Sequence, residues 1–251
     1  ICSDKTGTLT KNEMTVQRVV TAGRVIEVGG AGYAPHGGFG VDGAEIAPQD
    51  APELAGIARA ALLCNDAVLR ERDGEWKLEG DPTEGALLTL ALKAGFERHY
   101  ESESLPRIDA IPFESEHRFM ATLHHDHAGH AFAFVKGAPE RLLQMCARQR
   151  VAGEDRPLDE GYWQRQVEAL AAAGQRVLAL AEAPMEKGKR ELDFADVEQG
   201  LTLLALVGII DPPREEAIAA VAQCRAAGIR VKMITGDHGV TARAIGAAMG
   251  I

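Results

Sequence analysis

The alternation of apolar and polar positions predicts the elements of the chain in order. Residues 14–28 are rich in Val, Thr and Ile and break at Ala22-Gly23, which predicts a β-hairpin. Residues 29–50, with Gly, Pro and scattered apolar positions, read as a loop. Between 52 and 63, Leu54, Ile57, Ala58 and Ala61 recur on one helical face. Trp76-Lys77-Leu78 reads as a short strand after an Asp73-Gly74 turn. Asp81 followed by Pro82 combines an N-cap with a first-turn proline and predicts a helix to about Lys93, stopping near Gly95. Strands are expected at 107–113, 118–124 and 130–136. A short helix from Pro139 to near Cys146, a helix at 161–172 and a strand at 176–183 follow. The charged stretch 184–200, with Lys187-Gly188-Lys189-Arg190, reads as a surface insertion.

The tail changes character. Residues 203–210 form a continuous apolar run, 214–226 a helix, 229–234 a second apolar strand and 240–249 a helix. Such runs alternating with helices predict a parallel sheet covered on both faces. The expected fold class is α/β. A doubly wound parallel-sheet domain is built from the two ends, and an antiparallel sheet with helices is inserted between them. Open parallel sheets bind ligands at the carboxyl ends of their strands. Asp4 and Thr235-Gly236-Asp237 both follow apolar strands, so this architecture brings two distant motifs to one site.

Composition narrows the function. The 251 residues are 46% hydrophobic, enough for one large domain or two modest ones. A formal net charge of -10 argues against a nucleic-acid surface, which needs Lys/Arg stripes, but leaves ATP open. Cys2, Cys64, Cys146 and Cys224 form no CxxC pair and read as buried free thiols. The run at 203–210 is far too short to span a bilayer. The sequence starts without Met and reads as a piece of a larger protein, with any membrane spans outside it. His117, His124, His125, His127 and His130 cluster around an expected turn at 126–129 and read as exposed hairpin residues rather than a metal site.

The strongest chemistry lies in the first ten residues, ICSDKTGTLT. An apolar stub delivers Asp4 to a loop of small hydroxyl residues around Gly7. A carboxylate so presented can attack a phosphoryl group. Gly7 lets backbone N–H groups turn toward phosphate oxygens. Carboxylate and phosphate repel each other, so a bridging Mg2+ is expected. The competing reading is an aspartate that merely caps a turn. Two positions on, Thr6 is a poor base at neutral pH, so an aspartyl phosphate here should hydrolyse slowly.

DKTGTLT is similar to the phosphorylation signature of the P-type ATPases, and the resemblance extends over essentially the whole chain. Haloacid-dehalogenase-like phosphatases carry a second Asp where this chain has Thr6, which favours the ATPase. Thr235-Gly236-Asp237 resembles the family's TGD block. The resemblance implies that Thr235 contacts the transferring phosphate and that Asp237 reaches it through Mg2+ or hydrogen bonds; an N-cap at Asp237 is compatible with both. Asp211-Pro212-Pro213-Arg214 resembles the DPPR hinge of type II pumps, where Arg214 reaches a nucleotide phosphate. A plain surface arginine is the alternative.

Three further blocks resemble the family's nucleotide-binding (N) domain. In Gly80-Asp81-Pro82-Thr83-Glu84-Gly85-Ala86-Leu87, the resemblance makes Glu84 the acceptor for the adenine amino group, supported by Asp81. By themselves the two residues read as a cap and a first-turn acid. The block 113–120 implies that Phe113 stacks on adenine with Met120 packing beside it; a core aromatic is the alternative. Arg118 stands where the family often has Lys, which keeps the charge and alters the geometry. Lys136-Gly137-Ala138-Pro139-Glu140 matches KGAPE and places Lys136 and Gly137 at the rim of the purine pocket, against an ordinary solvent lysine. Arg176 aligns with an arginine that reaches the ATP phosphates.

The resemblance therefore implies part of a type II cation-transporting pump of the calcium-pump-like kind. Residues 13–212 are expected to form the N domain, and 1–12 with 213–251 part of the phosphorylation (P) domain. ATP and Mg2+ are the implied cofactors. Asp4 and the Thr6 carbonyl hold the metal, and Lys5 neutralises charge. The partners are the transmembrane and actuator domains of the parent chain, on the cytoplasmic face of a membrane. The family's later GDGxND block and a downstream lysine lie beyond Ile251, so this stretch is expected to bind nucleotide and barely phosphorylate itself. A capped phosphatase and a non-catalytic nucleotide-binding module are the competing functions.

Overall fold

The computed structural model describes residues 1–235 and 239–251, apart from the side chains of Thr6, Val240 and Thr241. The chain opens with strand β1 (Cys2–Asp4) and a wide five-residue turn (Lys5–Leu9). It then forms β2 (Thr15–Val20), β3 (Val25–Val28), β4 (Phe39–Val41), β5 (Ala44–Ile46), helix α1 (Glu53–Leu63), β6 (Val68–Arg72), β7 (Glu75–Glu79) and helices α2 (Pro82–Lys93) and α3 (Arg98–Ser104). The middle continues with β8 (Arg107–Ile111), β9 (Phe119–His125), β10 (Ala131–Gly137), α4 (Pro139–Met145), β11 (Cys146–Val151), β12 (Glu154–Pro157) and α5 (Glu160–Ala172). The chain ends with β13 (Arg176–Met185), α6 (Phe194–Val197), β14 (Leu201–Ile210), α7 (Glu215–Ala226), β15 (Lys232–Ile234) and α8 (Gly239–Met249).

One large sheet dominates, in the order β5-β4-β3-β2-β14-β13-β10-β9-β8. Every neighbour along that path pairs antiparallel; β11 joins β14 in parallel and carries β12. Side chains alternate between two cores, as the two-residue period of a strand requires. On one face Met120, Phe134, Leu180 and Val207 pack against α1 and α2. On the other Phe119, Ala121, Val135 and Leu206 pack with Leu142 of α4 and with Trp163 and Leu170 of α5. A small third core joins Leu9, Val221, Ile245 and Met249.

This layering corrects the reading of the tail. The run around 203–210 is continuously apolar because helices bury both faces of β14, but β14 is a central strand of the antiparallel sheet and not part of a doubly wound parallel one. Among the described residues, the parallel pairing between the chain ends is confined to β1 and β15, with Asp4 opposite Ile234. Residues 29–50 are not all loop: β4 and β5 extend the sheet edge through a turn at Asp42-Gly43. The stretch 184–200 is not all surface, since Leu192 and Val197 belong to the second core. Cys64 and Cys146 are buried free thiols, whereas Cys2 is exposed and Cys224 is half-buried.

The histidines do not all sit on an exposed hairpin. His124, on β9, is 1% exposed. Its Nδ1 lies 2.9 Å from the Leu105 carbonyl and its Nε2 2.9 Å from the Thr122 hydroxyl. A carbonyl only accepts, so Nδ1–H donates and the neutral ring accepts from Thr122. Burial, reinforced by Arg107, pushes the imidazole down to about 4. The unfolded chain protonates this ring near its ordinary value of about 6.5. Stability from the neutral ring is therefore complete above that pH and is lost as pH falls toward about 4. Between pH 7.5 and 5, urea unfolding should show the wild type losing about 2 kcal/mol more than His124→Gln. Equal losses in the two proteins would remove His124 as a source of acid sensitivity.

Candidate functional site

Two groups of side chains occupy the same end of the main sheet. The first surrounds the N-terminus of α2. Asp81 caps that helix, its Oδ1 accepting from the Thr83 N–H at 2.8 Å and the Glu84 N–H at 3.3 Å. The cap orients the first turn so that the Glu84 side chain reaches the loop after α1. There Glu84 Oε2 accepts from the N–H groups of Ala67 at 3.0 Å and Asp66 at 3.3 Å. Its Oε1 is ion-paired with Lys136 Nζ, and the two side chains are only 15% and 7% exposed. Lys136 is thus no solvent lysine. It lies near the end of β10, followed by Gly137, where an added Cβ would stand 2.5 Å from the Arg118 carbonyl.

Arg176 and Arg118 are linked to the neighbourhood of this pair, through Thr83 and through the strand end at Gly137-Ala138. Phe113 follows β8 and is 59% exposed, so it is not a core aromatic. Met120 pairs across from Lys136 but is 1% exposed inside the core. It is part of the packed layer that carries Lys136. Arg118 donates to Glu140 Oε1 at 2.7 Å from a left-handed backbone conformation (φ 59). Arg176, exposed at the start of β13, reaches the Thr83 hydroxyl at 3.3 Å.

The second group is the crossing between the main body and the chain ends. β1 delivers Asp4, exposed, to the wide turn, where Gly7 takes a φ of 74. The turn closes through Thr10 N–H to the Lys5 carbonyl at 3.0 Å. Wide turns of this kind occur often at functional sites. Asp211, 3% exposed, ties it down. Its Oδ2 accepts from the Thr10 hydroxyl at 2.5 Å, and its Oδ1 from the Asn12 N–H at 2.9 Å. The buried Lys5 ammonium is 4.0 Å away. Arg214 donates to the carbonyls of Thr10 at 3.0 Å and Gly7 at 3.3 Å, so its guanidinium braces the turn that follows Asp4. Thr235 is the next residue after β15, whose last residue pairs with Asp4. Gly236 and Asp237 lie outside the described residues.

Sequence reasoning missed several polar residues that build these groups: Thr10, Asn65, Arg98 and Arg107. Asn65 offered a signal, a polar residue closing an apolar helix at Cys64-Asn65-Asp66. The arginines offered none, because their partners are backbone carbonyls distant in sequence.

The structure thus presents an exposed aromatic ring at Phe113, a buried carboxylate–ammonium pair and an exposed aspartate at a strand end. The family model described as P-type ATPase, cytoplasmic domain N, matches residues 53–216, and the chain belongs to that family. It is 48% identical over its whole length to the cation-transporting ATPase pma1 of Synechocystis sp., of which it spans 28%. It is 40% identical to the calcium-transporting ATPase of Bacillus subtilis, over 98% of this chain and 28% of that protein. It is also 40% identical to human calcium-transporting ATPase type 2C member 1, over all of this chain and 26% of that protein. The chain thus spans little more than a quarter of these relatives. Among the described residues, no helix is long and apolar enough to cross a membrane.

Removing the Asp211 carboxylate takes an acceptor from Thr10 and Asn12 and a counter-charge from Lys5. Asp211→Ala should cost about 3–5 kcal/mol, the range for breaking a buried ionic contact. It should also speed amide exchange at Lys11 and Asn12, with the centre of β14 unchanged, as read by hydrogen exchange. Uniform acceleration across the main sheet would mean that Asp211 supports the whole fold and not the crossing.

Proposed function

We propose that the chain is the ATP-handling part of a cation pump. In this reading residues 13–212 grip the nucleotide as an N domain, and residues 1–12 with 213–251 contribute part of a haloacid-dehalogenase-like P domain. One observation carries the proposal: the two polar groups share a sheet end. β13 starts with Arg176 opposite Ile209, β14 ends at Ile210 opposite Thr15, and β10 ends at Gly137. The pocket candidates and the crossing that leads to Asp4 are therefore neighbours in the sheet, although they are far apart in sequence.

Phe113 supplies the stacking face for adenine, Glu84 accepts from its amino group, and Lys136 and Gly137 form the rim. Arg176, with Arg118 and Arg214 when they leave their present partners, meets the phosphates. A carboxylate oxygen of Asp4 attacks the γ-phosphorus, forming an acyl phosphate as the bond to the bridging oxygen of ADP breaks. Thr235, one residue past β15, serves the same phosphoryl group, and Gly236 and Asp237 take the part that the resemblance to the TGD block implies. The oxygen donors Asp4 and the Thr6 carbonyl suit Mg2+, which prefers a few carboxylate or carbonyl oxygens plus phosphate. When bound, Mg2+ offsets the repulsion between carboxylate and phosphate. The whole pump moves a cation, with calcium favoured because two of the relatives above are named as calcium-transporting.

Calorimetric titration with ATP on the wild type and Phe113→Ala tests the reading. Stacking worth about 1–3 kcal/mol predicts weakening by roughly tenfold or more in the variant. A folded wild type that binds no nucleotide would overturn the proposal and make the middle of the chain a cap or scaffold.

A further inference from the structure

The acceptor capacity of Glu84 is nearly filled before any ligand arrives. An ionised carboxylate has about four lone-pair positions. Two accept backbone N–H groups, from Asp66 and Ala67, and a third faces the Lys136 ammonium. What is left is one acceptor position on a side chain that is 15% exposed. An incoming base edge must therefore present a donor there; an acceptor would meet electron pairs.

Those two N–H groups belong to the 63–67 loop, which is clamped from three sides. Asn65, fully buried, donates from Nδ2 to the carbonyls of Ala61 and Glu84, each at 3.0 Å, and accepts on Oδ1 from Ala67 N–H at 3.0 Å. Arg98 donates to the carbonyls of Ala67 at 2.5 Å and Asn65 at 2.9 Å. Arg107 donates to the carbonyls of Leu63 and Asn65, each at 2.9 Å, and to the Asp66 carboxylate at 2.6 Å. Two guanidinium groups thus meet one short segment, the end of α1 and the four-residue loop after it, in which the amides of Asp66 and Ala67 point at a single carboxylate. Loop backbone held only by water would leave Glu84 free to rotate and to present either an occupied or an open edge.

We propose that Asn65, Arg98 and Arg107 are positioning residues that set base selectivity. By fixing the 63–67 loop they keep one acceptor position of Glu84 aimed at the ligand, and this favours a 6-aminopurine nucleotide over a 6-oxopurine one. The inference rests on the nucleotide-binding reading above and goes beyond it by naming what enforces the choice of base.

The test is calorimetric titration of the whole chain with ATP and with GTP. The wild type should prefer ATP by about tenfold or more, the effect of one properly aimed buried hydrogen bond against an unpaired one. Arg107→Ala, at an exposed position, should shrink the ATP:GTP ratio by roughly three- to tenfold through weaker ATP binding, with GTP little changed. Arg107→Lys should recover part of the ratio. In a Glu84→Gln background, Arg107→Ala should leave the ratio unmoved, which a merely structural role does not predict. Phe113→Ala should weaken both nucleotides alike, because stacking does not read the base edge. If Arg107→Ala fails to fold, Arg98→Ala is read in the same way. An Arg107→Ala protein that loses ATP and GTP in equal proportion, or a wild type with no preference, overturns this inference while the nucleotide pocket stands. A folded wild type that binds neither nucleotide overturns both.

Discussion

The buried carboxylate of Asp211 holds the entry and return segments of the chain together at one point. One oxygen takes the Thr10 hydroxyl and the other the Asn12 N–H, with the Lys5 ammonium beside them. Hydrogen bonds to a charged group contribute about 1.5–3 kcal/mol each, more than neutral ones. Few other bonds are available there. Pro212 and Pro213 have no N–H to give, so the return segment cannot form a regular ladder. The Pro212 carbonyl accepts from Lys11, the Arg214 N–H donates to the Leu9 carbonyl, and the Arg214 side chain braces the turn. The crossing is therefore built from a few directional bonds beside two prolines, outside the two large cores. The wide turn that follows Asp4 is anchored to the same carboxylate through Thr10 and Lys5.

Much of the fold was legible because its signals are local. Asp81-Pro82 starts α2, Ala22-Gly23 turns the first hairpin, and Pro139 starts α4, each through backbone chemistry within a few residues. Sheet topology was less legible. The apolar run of β14 reports burial on both faces, and burial on both faces does not distinguish a parallel strand from an antiparallel one between two helical layers. Weak strands such as β6, β11 and β12 carry mostly polar residues and form because a neighbour offers a ladder. The site divided in the same way. Residues that sit in a local block, Glu84 and Lys136, stand out in the sequence, although their ion pair does not. Residues that act on distant backbone carbonyls, Arg98 and Arg107, leave no periodic trace.

The Glu84–Lys136 pair raises an energetic question that packing alone does not answer. Two ions taken out of water lose several kcal/mol of hydration each, and replacing such a pair with apolar side chains is often neutral or stabilising by about 1–4 kcal/mol. The layer around it is apolar, with Met120 across from Lys136 and α2 packed on the sheet. The pair is instead embedded in a network that satisfies Glu84 with backbone amides and secures those amides with two arginines. Polar networks of this density favour one arrangement strongly, since a half-satisfied version costs more than an apolar core. Such an arrangement stabilises little by itself. In the nucleotide-binding reading proposed above, its use lies in discrimination, because a ligand edge that cannot donate to Glu84 must leave a desolvated carboxylate oxygen unpaired. On that reading, the same chemistry that makes the pair a poor contributor to folding suits it to reading a base.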